Sequence, residues 1–94
     1  MSASQVIRIR ARKGQSDRLG LRLRQLSGPG REAPGCLDFQ VRRDALEADV
    51  WLIRSQWREP QQMLDYLCGE IQQVFAGVLW RSLAASLEVR DEEG

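Results

Sequence analysis

A strand that turns into a helix at a proline constrains this chain more than any other stretch. From Val50 to Trp57 the side chains alternate, so Trp51, Ile53, Ser55 and Trp57 share one side and Val50, Leu52, Arg54 and Gln56 the other. Neither side is wholly polar, which argues that both are covered. Glu59 then stands where a helix cap is needed. Pro60 fits the first helical position, where its missing N–H would lack a partner anyway. Met63, Leu64 and Leu67 continue as an apolar helical stripe. On this reading Trp51, Trp57 and Tyr66 line one cavity.

The flanking segments supply the rest of a fold. Val6 to Arg12 alternates strictly, with Ile7, Ile9 and Ala11 opposite Arg8, Arg10 and Arg12, and Gly14 ends this first strand. Ser16 as N-cap, Asp17 in the first turn and the spacing of Leu19, Leu23 and Leu26 predict a helix to about Ser27. A competing signal comes from Gly20, which costs a helix about 1 kcal/mol relative to alanine, and from the strand-like alternation of Leu19, Leu21 and Leu23. Gly28-Pro29-Gly30 is expected to close that helix and Glu32-Ala33-Pro34-Gly35 to form a second turn. Cys36 to about Arg43 then reads as a strand with Leu37, Phe39 and Val41 on one side, and Asp44 to Asp49 as the polar connection of a hairpin.

Beyond the Pro60 helix, Gly69 is expected to break or bend the chain. Ile71, Val74, Phe75, Val78 and Leu79 predict a second amphipathic helix to about Trp80 or Arg81. Ala85, Leu87 and Val89 alternate as a last strand, ahead of a frayed acidic tail from Asp91 to Gly94. The resulting order is that of an α+β, ferredoxin-like βαββαβ domain, with a four-stranded antiparallel sheet and helices on one face. All 94 residues are expected to form a single domain, with a core from about 6 to 90. Val50 and Leu52 make the uncovered face too apolar to stay wet, so a homodimer through sheet-to-sheet packing, related by a two-fold axis, is expected.

The sequence contains no histidine, which removes the commonest general base and metal ligand. Cys36 and Cys68 are too far apart for metal-ligand spacing and are expected to be reduced, semi-buried thiols. No signal-like or membrane-length apolar run occurs, which predicts a soluble cytoplasmic protein without membrane association. The net charge of +1 hides an asymmetry. Residues 1–31 hold eight basic groups against Asp17 alone, and the remainder is net acidic. The basic third either pairs with that acidic remainder, in the same or a neighbouring subunit, or meets an anionic partner.

Glu32-Ala33-Pro34-Gly35-Cys36-Leu37-Asp38-Phe39, followed by Trp51 to Trp57 and a helix a few residues later, resembles the antibiotic biosynthesis monooxygenase family. The likeness runs from about Val6 to Val89. It implies a small dimeric α+β barrel, and an activity of the kind found in cofactor-independent monooxygenases of aromatic polyketides or in quinol monooxygenases. Pro34-Gly35-Cys36 and Trp57 match the family pattern. Tyr66 stands where many members place a histidine, Ser55 where an acidic residue is common, and asparagine, used by some catalytic members, is absent.

The resemblance thus implies a cofactor-free monooxygenase of a small aromatic ligand, phenol- or quinol-like. Tyr66 and Trp57 would be its catalytic residues, and Trp51, Phe39 and Ser55 would bind substrate. Tyr66 would hydrogen-bond the ligand oxygen, and the tryptophans would form apolar walls. The same aromatics equally suit a core or a dimer interface. A dimer that binds small ligands without catalysis is a second reading. A third, nucleic-acid binding by Arg8, Arg10, Trp51 and Trp57, is disfavoured because the aromatic RNA-binding consensus is missing.

Overall fold

The computed structural model describes residues 2–71 and 82–92. Strand β1 (Ala3–Ala11) leads into helix α1 (Ser16–Gln25), a short helix α2 (Ser27–Glu32), the hairpin β2 (Cys36–Arg43) and β3 (Val50–Trp57), helix α3 (Pro60–Tyr66) and finally β4 (Ala84–Glu92). The four strands form one antiparallel sheet in the order β2-β3-β1-β4. This is the ferredoxin-like α+β arrangement, open in the single chain.

Alternation decides which side of each strand is buried. Ile7 and Ile9 of β1 lie opposite Ile53 and Trp51 of β3, and Phe39 of β2 lies opposite Ser55. These side chains meet Leu19 and Leu23 of α1 and Met63 and Tyr66 of α3 in a single core. Each large apolar side chain so enclosed contributes roughly 1.5–3 kcal/mol. Leu19 and Leu23 are buried whereas Leu21 is 62% exposed, which settles the segment as helix. Gly20 belongs in that helix because the Trp51 ring occupies the place of its missing Cβ.

Several local expectations are corrected. The N-cap of α1 is Gln15, without a side-chain bond, because the Ser16 hydroxyl instead donates to Ala48 O at 2.6 Å. Gly28-Pro29-Gly30 does not end the helical region but lies inside α2. Pro29 falls in its first turn, where backbone N–H groups lack helical acceptors in any case. Leu37 does not share a side with Phe39 and Val41. The register with β3 shifts between Cys36 and Asp38, and Leu37 is half exposed. In α3 the buried residues are Met63 and Tyr66, and Leu64 is exposed.

Gly69 lies within a π-helical stretch, Leu67–Ile71, that continues α3. Asp91 and Glu92 extend β4 rather than fray. Both thiols are free, but Cys68 is exposed. The amphipathic helix expected from Ile71 to Trp80 or Arg81 falls, past Ile71, outside the described residues.

The face of the sheet away from the helices carries Val6, Leu52, Arg8, Arg10, Arg42 and Arg54. Val50, on the same side, is already buried within the chain, so Val6 and Leu52 are its half-buried apolar centre. Arg8 and Arg10 both donate to the Glu47 carboxylate, the latter at 3.2 Å, and Arg43 pairs with Asp17 at 2.7 Å. Arg8 and Arg10 of the basic first third are therefore answered by Glu47 of the acidic remainder. No helix among the described residues is long and apolar enough to cross a membrane.

Candidate functional site

Trp57 ends β3 on the helix-covered side, and Tyr66 reaches it from the last turn of α3. Their rings lie 5.1 Å apart, tilted by 37°, and Phe39 meets Tyr66 edge-on at 5.9 Å. The Trp57 indole N–H donates to Ser55 Oγ at 2.9 Å, two residues back on the same strand face, which supplies the partner a buried indole requires.

In front of Trp57 and Tyr66 lies a cavity of about 220 Å³. One wall is the Ala33-Pro34 turn; the other is formed by Gln62, Asp65, Tyr66 and Gly69. These four positions follow the i, i+3, i+4, i+7 spacing of a single helix face. The turn keeps its shape because Ala33, preceding a proline, is extended, and because Gly35 adopts a φ of +81° that other residues resist. A side chain at Gly35 would also collide with the amide of Gln62, whose Oε1 is buried without a hydrogen-bond partner. Asp65 Oδ1 accepts from Gln61 Nε2 at 2.9 Å.

The structure brings Trp57 and Tyr66 to one cavity and places Phe39 and Ser55 directly behind them as supports. Trp51 does not share it. Its indole N–H donates to Ser16 O and Oγ, both at 3.1 Å, and its ring is covered by the guanidinium groups of Arg43 and Arg24 at 4.6 and 5.4 Å. There it borders a separate hollow of about 340 Å³ with Asp17, Leu21, Arg24 and Arg43. Trp51 and Trp57 stand six positions apart, roughly 20 Å along the strand, so one small cavity cannot hold both. Arg54 projects from the opposite side of β3, away from Tyr66. A larger hollow of about 560 Å³ lies outside α1, but its described lining of Gln15, Arg18, Leu21, Arg22, Gln25, Ser82 and Leu83 includes no aromatic residue.

Gln62 and Asp65 are the site residues that strand periodicity does not reveal. The helical spacing that ties them to Tyr66 is the signal that would have found them. Cys36 pairs with Trp57 across the hairpin, and burial pushes its thiol up from the usual range. No group of three potential metal ligands occurs among the described residues. Trp51 and Trp57, at 3% and 1% exposure on the helix-covered side, present no platform on which nucleic-acid bases could stack.

A sequence profile of the antibiotic biosynthesis monooxygenase family matches residues 2–77. No curated protein sequence matches significantly. Among solved structures, the chain is similar to a protein of Pseudomonas aeruginosa at 21% identity and a TM-score of 0.84, covering 97% of this chain and 91% of that one. It is similar to a candidate antibiotic biosynthesis monooxygenase of Chloroflexus aurantiacus at 26% identity and a TM-score of 0.73, covering 98% and 91%. A variant of SnoaB, a cofactor-independent oxygenase of Streptomyces nogalater, is similar at 13% identity and a TM-score of 0.78, covering 99% and 92%.

Proposed function

The chain belongs to the antibiotic biosynthesis monooxygenase family, and on that premise we propose that it is a cofactor-independent monooxygenase of a small phenol- or quinol-like aromatic compound. The observation that carries this reading is the Trp57–Tyr66 pair, whose tilted rings line a cavity beside the Pro34-Gly35-Cys36 turn. SnoaB, a cofactor-independent oxygenase, shares the fold.

In such a reaction the substrate is the reductant. Loss of a proton makes the ring electron-rich enough to reduce dioxygen. One oxygen atom enters the product, and the other leaves as water with two hydrogens drawn from the substrate. The protein's part is to hold the ring against Trp57, keep water from its reacting carbon and stabilise the developing oxyanion with a hydrogen bond from the Tyr66 hydroxyl. Ser55 holds the Trp57 indole in place, and Phe39 supports Tyr66. The working unit is a homodimer packed sheet to sheet, in which the second copy closes the barrel that the single chain leaves open.

Oxygen uptake with a panel of hydroquinones and anthrones tests the proposal. Wild type should turn over at least one of them, and Tyr66→Phe should lower kcat by about 10²-fold, as expected for losing one donor to a developing oxyanion. Trp57→Phe should chiefly raise KM. A second reading is favoured by Tyr66 standing where many members have histidine: a dimer that binds such compounds without oxidising them. Binding without oxygen uptake across the whole panel would decide for it.

A further inference from the structure

The polar groups around the cavity specify more than a flat ring. Gln62 lies in the lining with its amide Oε1 buried and so out of a guest's reach. Of the amide atoms Oε1 is the one nearest Gly35, which leaves Nε2 as the end able to serve a guest. One helical turn further on, the exposed Asp65 contributes a carboxylate to the lining, its Oδ1 accepting from Gln61. The cavity is thus bordered by an amide donor and an anionic acceptor, three positions apart on one helix face. Its described lining contains neither arginine nor lysine.

A hydroxyl group satisfies both sides of such a pair, since it accepts through its lone pairs and donates its single hydrogen. A methyl ether can only accept, and a carboxylate can only accept while also meeting the Asp65 charge at close range. Size narrows the choice further. At about 220 Å³ the cavity exceeds the roughly 150 Å³ that takes benzene and falls below the roughly 300 Å³ where pockets for larger ligands begin, which fits one or two fused rings.

We propose that Gln62 and Asp65 select a one- or two-ring aromatic compound carrying a free hydroxyl, with the Gln62 amide donating to the hydroxyl oxygen and the Asp65 carboxylate accepting its hydrogen. The proposal rests on the reading that the Trp57–Tyr66 cavity takes an aromatic ligand. It makes Gln62 and Asp65 specificity-determining residues.

Isothermal titration of the full-length protein with 1-naphthol, 1-methoxynaphthalene and 1-naphthoate tests it. Naphthol should bind about tenfold or more tightly than its methyl ether, the scale of one hydrogen bond to a charged group, and naphthoate should bind more weakly than naphthol. Gln62→Leu and Asp65→Asn should each bring naphthol toward the affinity of the ether, whose own binding serves as the control for an intact cavity. Equal affinity for naphthol and the ether would overturn the selectivity and leave the aromatic cavity standing. Tighter binding of naphthoate would overturn the polar assignment in the same way. No binding of any of the three would overturn the cavity reading itself, and the selectivity with it.

Discussion

Ser55 shows how a single hydroxyl can hold a site together. Its Oγ accepts the Trp57 indole N–H at 2.9 Å, and both residues are nearly inaccessible to water. Ser55→Ala therefore strands a buried donor and should cost about 1–3 kcal/mol in urea unfolding. In a Trp57→Phe background no donor remains, so the same substitution should cost at least about 1 kcal/mol less. Equal costs in the two backgrounds would assign the effect to lost volume instead. Cys36, across the hairpin from Trp57, makes a chemical prediction. Burial raises its thiol pKa, and the thiolate is the nucleophile, so in a Cys68→Ser variant its alkylation at pH 8 should be slower than that of free cysteine. The native state holds this proton to higher pH than the unfolded chain does. Stability should therefore decline as pH rises from the ordinary thiol range toward the raised value.

Helix α2 is where reading the sequence and the fold diverge most, and its glycines explain why. Gly-Pro-Gly normally closes a helix, but here Pro29 sits in the first turn and Gly30 is buried where the Phe39 ring leaves no room for a Cβ. Gly28, two positions earlier, faces open space, with nothing within 4 Å of where a Cβ would stand. Gly30→Ala should destabilise the protein by about 1–3 kcal/mol as Phe39 shifts toward the site, whereas Gly28→Ala should cost less, its gain in helix propensity being offset by the crowding of a helical Cβ against the Pro29 ring. Thermal unfolding of the two variants checks the order. The strands were legible because period-2 alternation is local, and β3 was read to the residue. Gly20 and Gly30 were not, because what they make room for, Trp51 and Phe39, is distant in sequence. For the site, Trp57 and Tyr66 could be read from the strand-to-helix stretch, and the roughly 20 Å of strand that separates Trp51 from them is legible there too, whereas the Arg24 and Arg43 cover of Trp51 is not. Gln62 and Asp65 acquire meaning only once the Ala33-Pro34 turn closes against their helix face.

For the whole molecule, the proposed dimer rests on the open sheet face. Leu52 lies in a row between Arg42 of β2 and Arg8 of β1, with Val6 as its diagonal neighbour, so the face has a small apolar centre set among charges. A domain of this length buries only about two-thirds of its unfolded surface and gains disproportionately from a partner. A two-fold axis through that face would bury Leu52 and Val6 against their own copies, and the surrounding arginines could meet acidic groups such as Asp38 and Glu88 on the same side of the partner sheet. Leu52→Glu separates folding from assembly. In one chain the new carboxylate would lie between two guanidinium groups and be tolerated, whereas in the dimer two such carboxylates would be brought toward the axis and desolvated. Sedimentation equilibrium should show wild type as a dimer at micromolar concentration. The variant should keep a native circular dichroism spectrum and dissociate about 10²-fold more readily. A wild-type monomer would remove the barrel from the proposal, and a variant that dimerises as well as wild type would move the interface to another surface.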